Sequence, residues 1–183
     1  MALRSTVYRA DLTVSDLDRH VYGTHALTLA RHPSETEERM MVRLLAFALH
    51  ADEALTFGPG LSTEDEPDLV QRDATGAITL WIDVGLPDER ALRKACGRAR
   101  QVALLAYGAR WVDAWWSELA PALARLTNLS VLTLTAAETE ALQTLAARAM
   151  TLSCTIQDGH VWLGSAVQTI ELAPLQRLAS AAV

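Results

Sequence analysis

The run Ala77-Ile-Thr-Leu-Trp-Ile-Asp-Val84, preceded by Asp73-Ala-Thr-Gly76, constrains this chain more than any other segment. β-Branched and aromatic residues fill it, and the turn signal before it joins it to Leu69-Val-Gln-Arg72. The two segments read as an antiparallel hairpin that Gly85-Leu-Pro87 terminates. A two-residue turn at Ala74-Thr75 pairs Asp73 with Gly76 and sets Asp68 opposite Trp81. Asp83 then faces the same side as Asp68, with Cβ atoms about 7 Å apart. A three-residue turn would shift the register by one and send the two acids to opposite faces.

The elements around this hairpin alternate in type. Thr6, Tyr8, Ala10, Leu12 and Val14 recur at period two, and His20 to Arg31 supplies a second strand, with Ser15 to Arg19 turning between them. Pro33, Ser34 as a cap and Glu37 three residues later mark a helix start. Met41, Leu44, Leu45, Ala48 and Leu49 continue that helix to about Glu53. Further helices are expected over Asp88 to Val102, Trp111 to Leu126 and Ala136 to Arg148, and strands over Ala103 to Tyr107 and Leu129 to Leu134. A last hairpin spans Met150 to Gln157 and His160 to Leu163, around Asp158-Gly159, and the tail from Glu171 is apolar enough to dock. This order implies an α/β fold of one domain over residues 1–183. Its core is a mixed central sheet flanked by helices, with an N-terminal hairpin and C-terminal strands added.

Composition narrows the function. Sixteen Lys and Arg against 22 Asp and Glu give a formal net charge of −6. That excludes a uniformly basic nucleic-acid coat but leaves room for a local basic face. Two cysteines make no disulfide framework and fit a reduced cytoplasm. The N-terminus has no apolar core of signal-peptide length, and Val102 to Ala109 falls far short of the ~20 residues of a membrane helix. A cytoplasmic protein with no membrane partner is expected.

The chemistry rests on carboxylates. Asp68 and Asp83 on one face can grip a hard divalent cation, which takes oxygen ligands and often only one or two carboxylates plus water. Glu38 lies three residues before Met41 and seven before Leu45, on the apolar stripe of its helix. An acid there points at the core or at a cleft beside it. Glu35 and Glu38 also suit ordinary compensation of a helix dipole, Glu37 suits a cap partner, and Glu64, Asp65 and Glu66 read as a solvated acidic loop. Lys94 is the only lysine; it groups with Arg90, Arg93 and Arg98 in a stripe roughly opposite Leu92. That stripe is either a solvated helix face or a surface for a nucleic-acid backbone. The five histidines show no zinc spacing with Cys96 or Cys154, and His32 suits a satisfied polar role. Trp111, Trp115 and Trp116 read as core or contact residues rather than a base-stacking platform.

HPSETEERMM (His32 to Met41), DEPDLV (Asp65 to Val70), LWIDVGLPDER (Leu80 to Arg90), NLSV (Asn128 to Val131) and MTLSCTIQDGHVWL (Met150 to Leu163) resemble the bacterial YaeQ family, in order and over nearly the whole chain. The resemblance implies a fold similar to the PD-(D/E)XK superfamily of restriction-type nucleases. There an antiparallel hairpin carries two acids, a lysine follows two positions after the second, and a helix often adds a glutamate. Pro67-Asp68 then resembles the "PD", Asp83-Val84-Gly85 the "(D/E)XK", and Glu38 the helix acid, with Gly85 standing where the lysine belongs.

The implied function is hydrolysis of a phosphodiester with Mg²⁺ or Mn²⁺ held by Asp68, Asp83 and Glu38. Lys94 would be the substitute catalytic cation, reaching over Gly85-Leu-Pro87. The alternative is a regulator without turnover, binding nucleic acid or protein and linked to transcription. A small phosphoester is a third possible substrate class.

Overall fold

The computed structural model describes residues 5–58 and 66–181. In chain order it runs β1 (Thr6–Asp16), β2 (Val21–Arg31), α1 (Glu37–Leu49), β3 (Leu55–Phe57), β4 (Leu69–Arg72), β5 (Ile78–Val84), α2 (Glu89–Arg98), β6 (Ala99–Ala106), α3 (Trp111–Leu123), β7 (Leu129–Thr133), α4 (Ala136–Gln143), β8 (Ala149–Gln157), β9 (His160–Gly164), β10 (Thr169–Leu172) and β11 (Leu175–Leu178).

These strands form two mixed sheets rather than the single central sheet expected. One has the order β10-β9-β8-β1-β2 and the other β11-β7-β6-β5-β4-β3. The period-two pattern of β1 explains the second sheet. Tyr8, Ala10, Leu12 and Val14 are buried while Val7, Arg9, Asp11 and Thr13 are exposed, so β1 needs a partner layer on one side only. It pairs antiparallel with β2 and parallel with β8, which makes the N-terminal hairpin and the C-terminal strands one sheet instead of two additions to another.

Helix α1 fills the space between the sheets. Every residue from Met40 to Ala48 is buried, and these side chains share one core with β1, β5, β6 and β8. A helix apolar on all sides is stable only when covered on all sides. Each fully buried Met, Leu or Phe contributes about 1.5–3 kcal/mol. Helix α4 packs beside α1 in this middle layer, through Leu142. The outer face of the six-stranded sheet carries a second core, in which Trp81, Val102 and Leu104 meet Leu92 and Ala95 of α2 and Leu123 of α3.

Three local expectations need correction. The N-cap of α1 is Thr36, whose hydroxyl accepts the Arg39 N–H at 3.1 Å, whereas Ser34 bonds His32 at 2.6 Å. Glu37 makes no capping box; it accepts the Tyr8 hydroxyl at 2.8 Å. Helix α2 stops at Arg98, because β6 begins at Ala99 to run alongside β5 from its first residue, Ile78.

The central hairpin reaches the expected outcome by another route. Its turn is the three-residue one: the Asp73 N–H bonds the Ala77 carbonyl at 3.0 Å, and Gly76 sits at φ +85°. Alone, that turn would separate the two acids. A β-bulge restores the face. Arg72 pairs with Ile78, but Gln71 pairs with Leu80, leaving Thr79 as the extra residue. The two shifts add, Leu69 pairs with Ile82, and continuing the register places Asp68 directly opposite Asp83 rather than diagonally from it. Gly76 holds a conformation that costs an L-residue about 1–2 kcal/mol. Gly76→Val is expected to lower unfolding free energy by that amount in urea titration, with the m-value unchanged.

Candidate active site

Asp68 and Asp83 meet where β4 begins and β5 ends. The Asp68 N–H donates to Asp83 Oδ1 at 3.4 Å, and Asp68 Oδ2 accepts the Val84 N–H at 2.8 Å. Asp68 is 5 % exposed. Burial pushes the Asp83 carboxyl up to about 6; the neighbouring Trp81 indole opposes the rise, the negative charge of Asp68 adds to it, and the Asp68 N–H and Arg39 oppose it. Asp83 therefore holds its proton to higher pH than an ordinary aspartate.

The first turns of α1 supply the opposite charge. Arg39 Nη2 is ion-paired with Asp68 Oδ1, and Arg39 Nη1 lies 2.9 Å from Glu35 Oε1. Glu35 also takes Arg43 Nη1, at 2.9 and 3.0 Å to its two oxygens. Arg43 is wholly buried, and its guanidinium lies 5.5 Å from the centre of the Phe57 ring. Its Nε and Nη2 have no hydrogen-bond partner among the described residues. The result is a chain of alternating charges, Asp68–Arg39–Glu35–Arg43, running from the hairpin into the core. Glu35 thus does more than compensate a helix dipole.

A cleft of about 270 Å³ opens on this chain. Its walls are Arg39, Glu66, Asp68 and Asp83, the Val84-to-Pro87 link, and Asp88 and Ala91 at the start of α2. Asp88 caps α2 by accepting the Ala91 N–H at 2.8 Å, so the positive end of a helix dipole also borders the cleft.

Asp68 and Asp83 are thus brought together, while Glu38 and Lys94 are not among the residues lining the cleft. Glu38 is half-buried on the α1 side, where its charge reaches Tyr107. The Tyr107 hydroxyl is held well above its usual range, chiefly by burial, with Glu38, Asp68 and Glu35 adding and Arg39 opposing. Lys94 is half-buried one helical turn beyond Ala91, and the basic side chain in the cleft is Arg39. Among the described residues no group of three or more His, Cys, Asp or Glu side chains is arranged to hold a metal ion.

Gly85 has φ +106°, a backbone state that L side chains rarely adopt. The chain turns there as it leaves β5, and the Gly85 N–H bonds the Leu105 carbonyl at 3.1 Å. A lysine at this position would have to adopt that strained backbone.

The expected basic stripe on α2 is mostly exposed, with Arg93 ion-paired to Glu89 at 2.6 Å. Glu66 of the acidic run is exposed; Glu64 and Asp65 lie outside the described residues. Trp115 and Trp116 pack on the outer core, and Trp115 Nε1 donates to the Pro87 carbonyl at 2.8 Å, while Trp111 is 61 % exposed. Both cysteines are free thiols. No helix among the described residues is long and apolar enough to cross a membrane.

Sequence reasoning missed Arg39 and Tyr107. Arg39 had a signal: it stands four residues after Glu35 and four before Arg43, the one charge inside the apolar run Met40 to Ala48. Removing one partner of a buried ion pair strands the other. Arg39→Gln is expected to cost about 3–5 kcal/mol in chemical denaturation, and Asp68→Asn in the same background to recover part of that loss.

The chain as a whole matches known proteins closely. A family model described as YaeQ protein matches residues 1–174. YaeQ of Salmonella typhi is 50 % identical over 172 residues, 94 % of this chain and 95 % of that protein. YaeQ of Escherichia coli K12 is 46 % identical over the same shares. The crystal structure of the Xanthomonas axonopodis pv. citri YaeQ protein superposes with TM-score 0.93 at 51 % identity, covering 96 % of this chain and 99 % of that one. The Pseudomonas syringae YaeQ protein follows with TM-score 0.90 at 36 % identity, covering 97 % and 98 %. The chain belongs to the YaeQ family.

Proposed function

We propose that the chain hydrolyses phosphodiester bonds of nucleic acid with Mg²⁺ or Mn²⁺ held by Asp68 and Asp83, on a hairpin of the PD-(D/E)XK kind. The observation that carries this reading is the pairing of two carboxylates across one hairpin in a cleft, one of them with its pKa raised to about 6. Like charges held together in a buried site favour a proton or a cation between them.

The donor set fits a hard cation. Each Asp68 oxygen has one partner, Arg39 or the Val84 N–H, which leaves lone pairs for a metal, and water can complete the shell. When bound, the cation lowers the pKa of a coordinated water and offsets charge on the phosphoryl oxygens. The chain's own residues do the rest. Asp83 faces the cleft and gives up its proton when a cation binds. Arg39 sets the position of Asp68 and presents a cation beside it, in the role the absent lysine would fill. The α2 N-terminus favours a phosphate at the cleft wall. Glu66 is a further carboxylate at the rim, and Glu38 acts from behind through the Tyr107 environment.

One observation favours the second reading, a regulator that binds without turnover. Arg39 already neutralises Asp68, and Gly85 carries no side chain. An internally compensated cleft of this kind has less need of a metal.

Thermal unfolding with and without Mg²⁺ or Mn²⁺, together with cleavage assays on single- and double-stranded DNA and RNA, separates the two. The hydrolase reading expects the metal to raise Tm in wild type but not in Asp83→Asn. It also expects metal-dependent cleavage that falls about 10²-fold or more in that variant. No metal shift and no cleavage across the panel would favour the regulator.

A further inference from the structure

A second cavity, of about 530 Å³, lies between the two sheets at the C-terminal end of α1. Aliphatic side chains line it: Leu49 of α1, Ile82, Leu105 and Leu132 of the six-stranded sheet, and Ile156 of the other. Ala103 and Ser130, small residues on β6 and β7, stand where larger side chains would fill the space.

The charges at its mouth are satisfied internally. Asp16, 1 % exposed, accepts Arg19 Nε at 2.6 Å and the Arg19 N–H at 2.9 Å. Asp18 accepts the N–H groups of Asp158 and Gly159 at 2.7 and 2.9 Å. An anion entering here would meet two carboxylates, and a cation would find Asp16 paired with Arg19 and both Asp18 oxygens taken by backbone N–H groups.

His50 differs from these groups. It closes α1, faces the cavity, and its imidazole has no hydrogen-bond partner among the described residues. Burial holds it neutral, with its pKa pulled down to about 4; Arg19 adds to the fall and Asp16 opposes it. A neutral imidazole offers one donor and one acceptor. Mostly apolar walls with a few polar groups, His50, Ser130 and Gln176 among them, at this volume describe a small-molecule site.

We propose that this cavity binds a small uncharged molecule with an apolar body and one hydrogen-bonding head, such as a hydroxyl, amide or ring N–H, that pairs with His50. The site is distinct from the acid cleft: the two share α1, at opposite ends of the helix, and β5, where Ile82 lines the cavity while Asp83 and Val84 line the cleft. It does not depend on the reading of Asp68 and Asp83.

The test uses the full chain and four probes with the same six-carbon body: hexanamide, 1-hexanol, hexanoate and hexylammonium. Binding is followed by titration calorimetry and by the His50 ring resonances in NMR. Hexanamide and hexanol are expected to saturate and to shift those resonances, at least about tenfold tighter than either ion. Ala103→Leu and Ser130→Leu, each verified as folded by thermal unfolding, are expected to abolish binding. His50→Phe, which keeps the ring, is expected to erase the preference of the amide over a purely apolar probe, hexane. Asp83→Asn is expected to leave every affinity unchanged. Equal affinity for the ions, binding that survives the filled variants, or no saturation by either neutral probe would overturn the proposal.

Discussion

A guanidinium with no exposed surface stands in the middle of α1, and much of the rest follows from keeping it paired. Arg43 interrupts an otherwise apolar helix that both sheets enclose. A charge in that position is tolerable only beside an opposite charge. Glu35, just before the helix, supplies it and is itself buried. Two arginines then share one glutamate, and the second of them, Arg39, turns to Asp68 on the hairpin. The entry of α1, the position of Arg39 and the seating of Asp68 are therefore one electrostatic problem with one solution. The carboxylate cleft lies at its outer end.

This linkage distinguishes the two acids. Asp68 is clamped between Arg39 and the Val84 N–H and belongs to the architecture as much as to any chemistry. Asp83 has no cation of its own at bonding distance among the described residues, and it carries the raised proton affinity. A cleft with one fixed and one adjustable carboxylate, bordered by a helix N-terminus, is suited to gathering a cation and a phosphate together.

Much of this was legible in the sequence, and the gaps have physical causes. The strands and helices follow hydrophobic periodicity, which local burial imposes, so β1, β5, β8 and the body of α1 stand where the pattern puts them. Whether two strand sets join one sheet or two is decided by long-range pairing, which periodicity does not encode; the parallel contact of β1 with β8 is of that kind. The shared face of Asp68 and Asp83 was reached through a register that differs by two residues from the real one. Turn length and bulge position each shift parity, and only their combination decides the face. Lys94 stands out in the sequence as the sole lysine, yet it lies a turn beyond the cleft wall, whereas Arg39 is one of 15 arginines. The pairing of Arg39 with Asp68, 29 residues away, has no local signature.

The central claim is that Asp68 and Asp83 share one enclosed cleft. The most direct measurement is the titration of the Asp83 side-chain carboxyl by ¹³C NMR, in wild type and in Asp68→Asn. The account predicts a wild-type pKa near 6, falling when Asp68 loses its charge but staying above the ordinary aspartate value of about 4 because burial persists. A wild-type value near 4 that ignores the Asp68 substitution would contradict it.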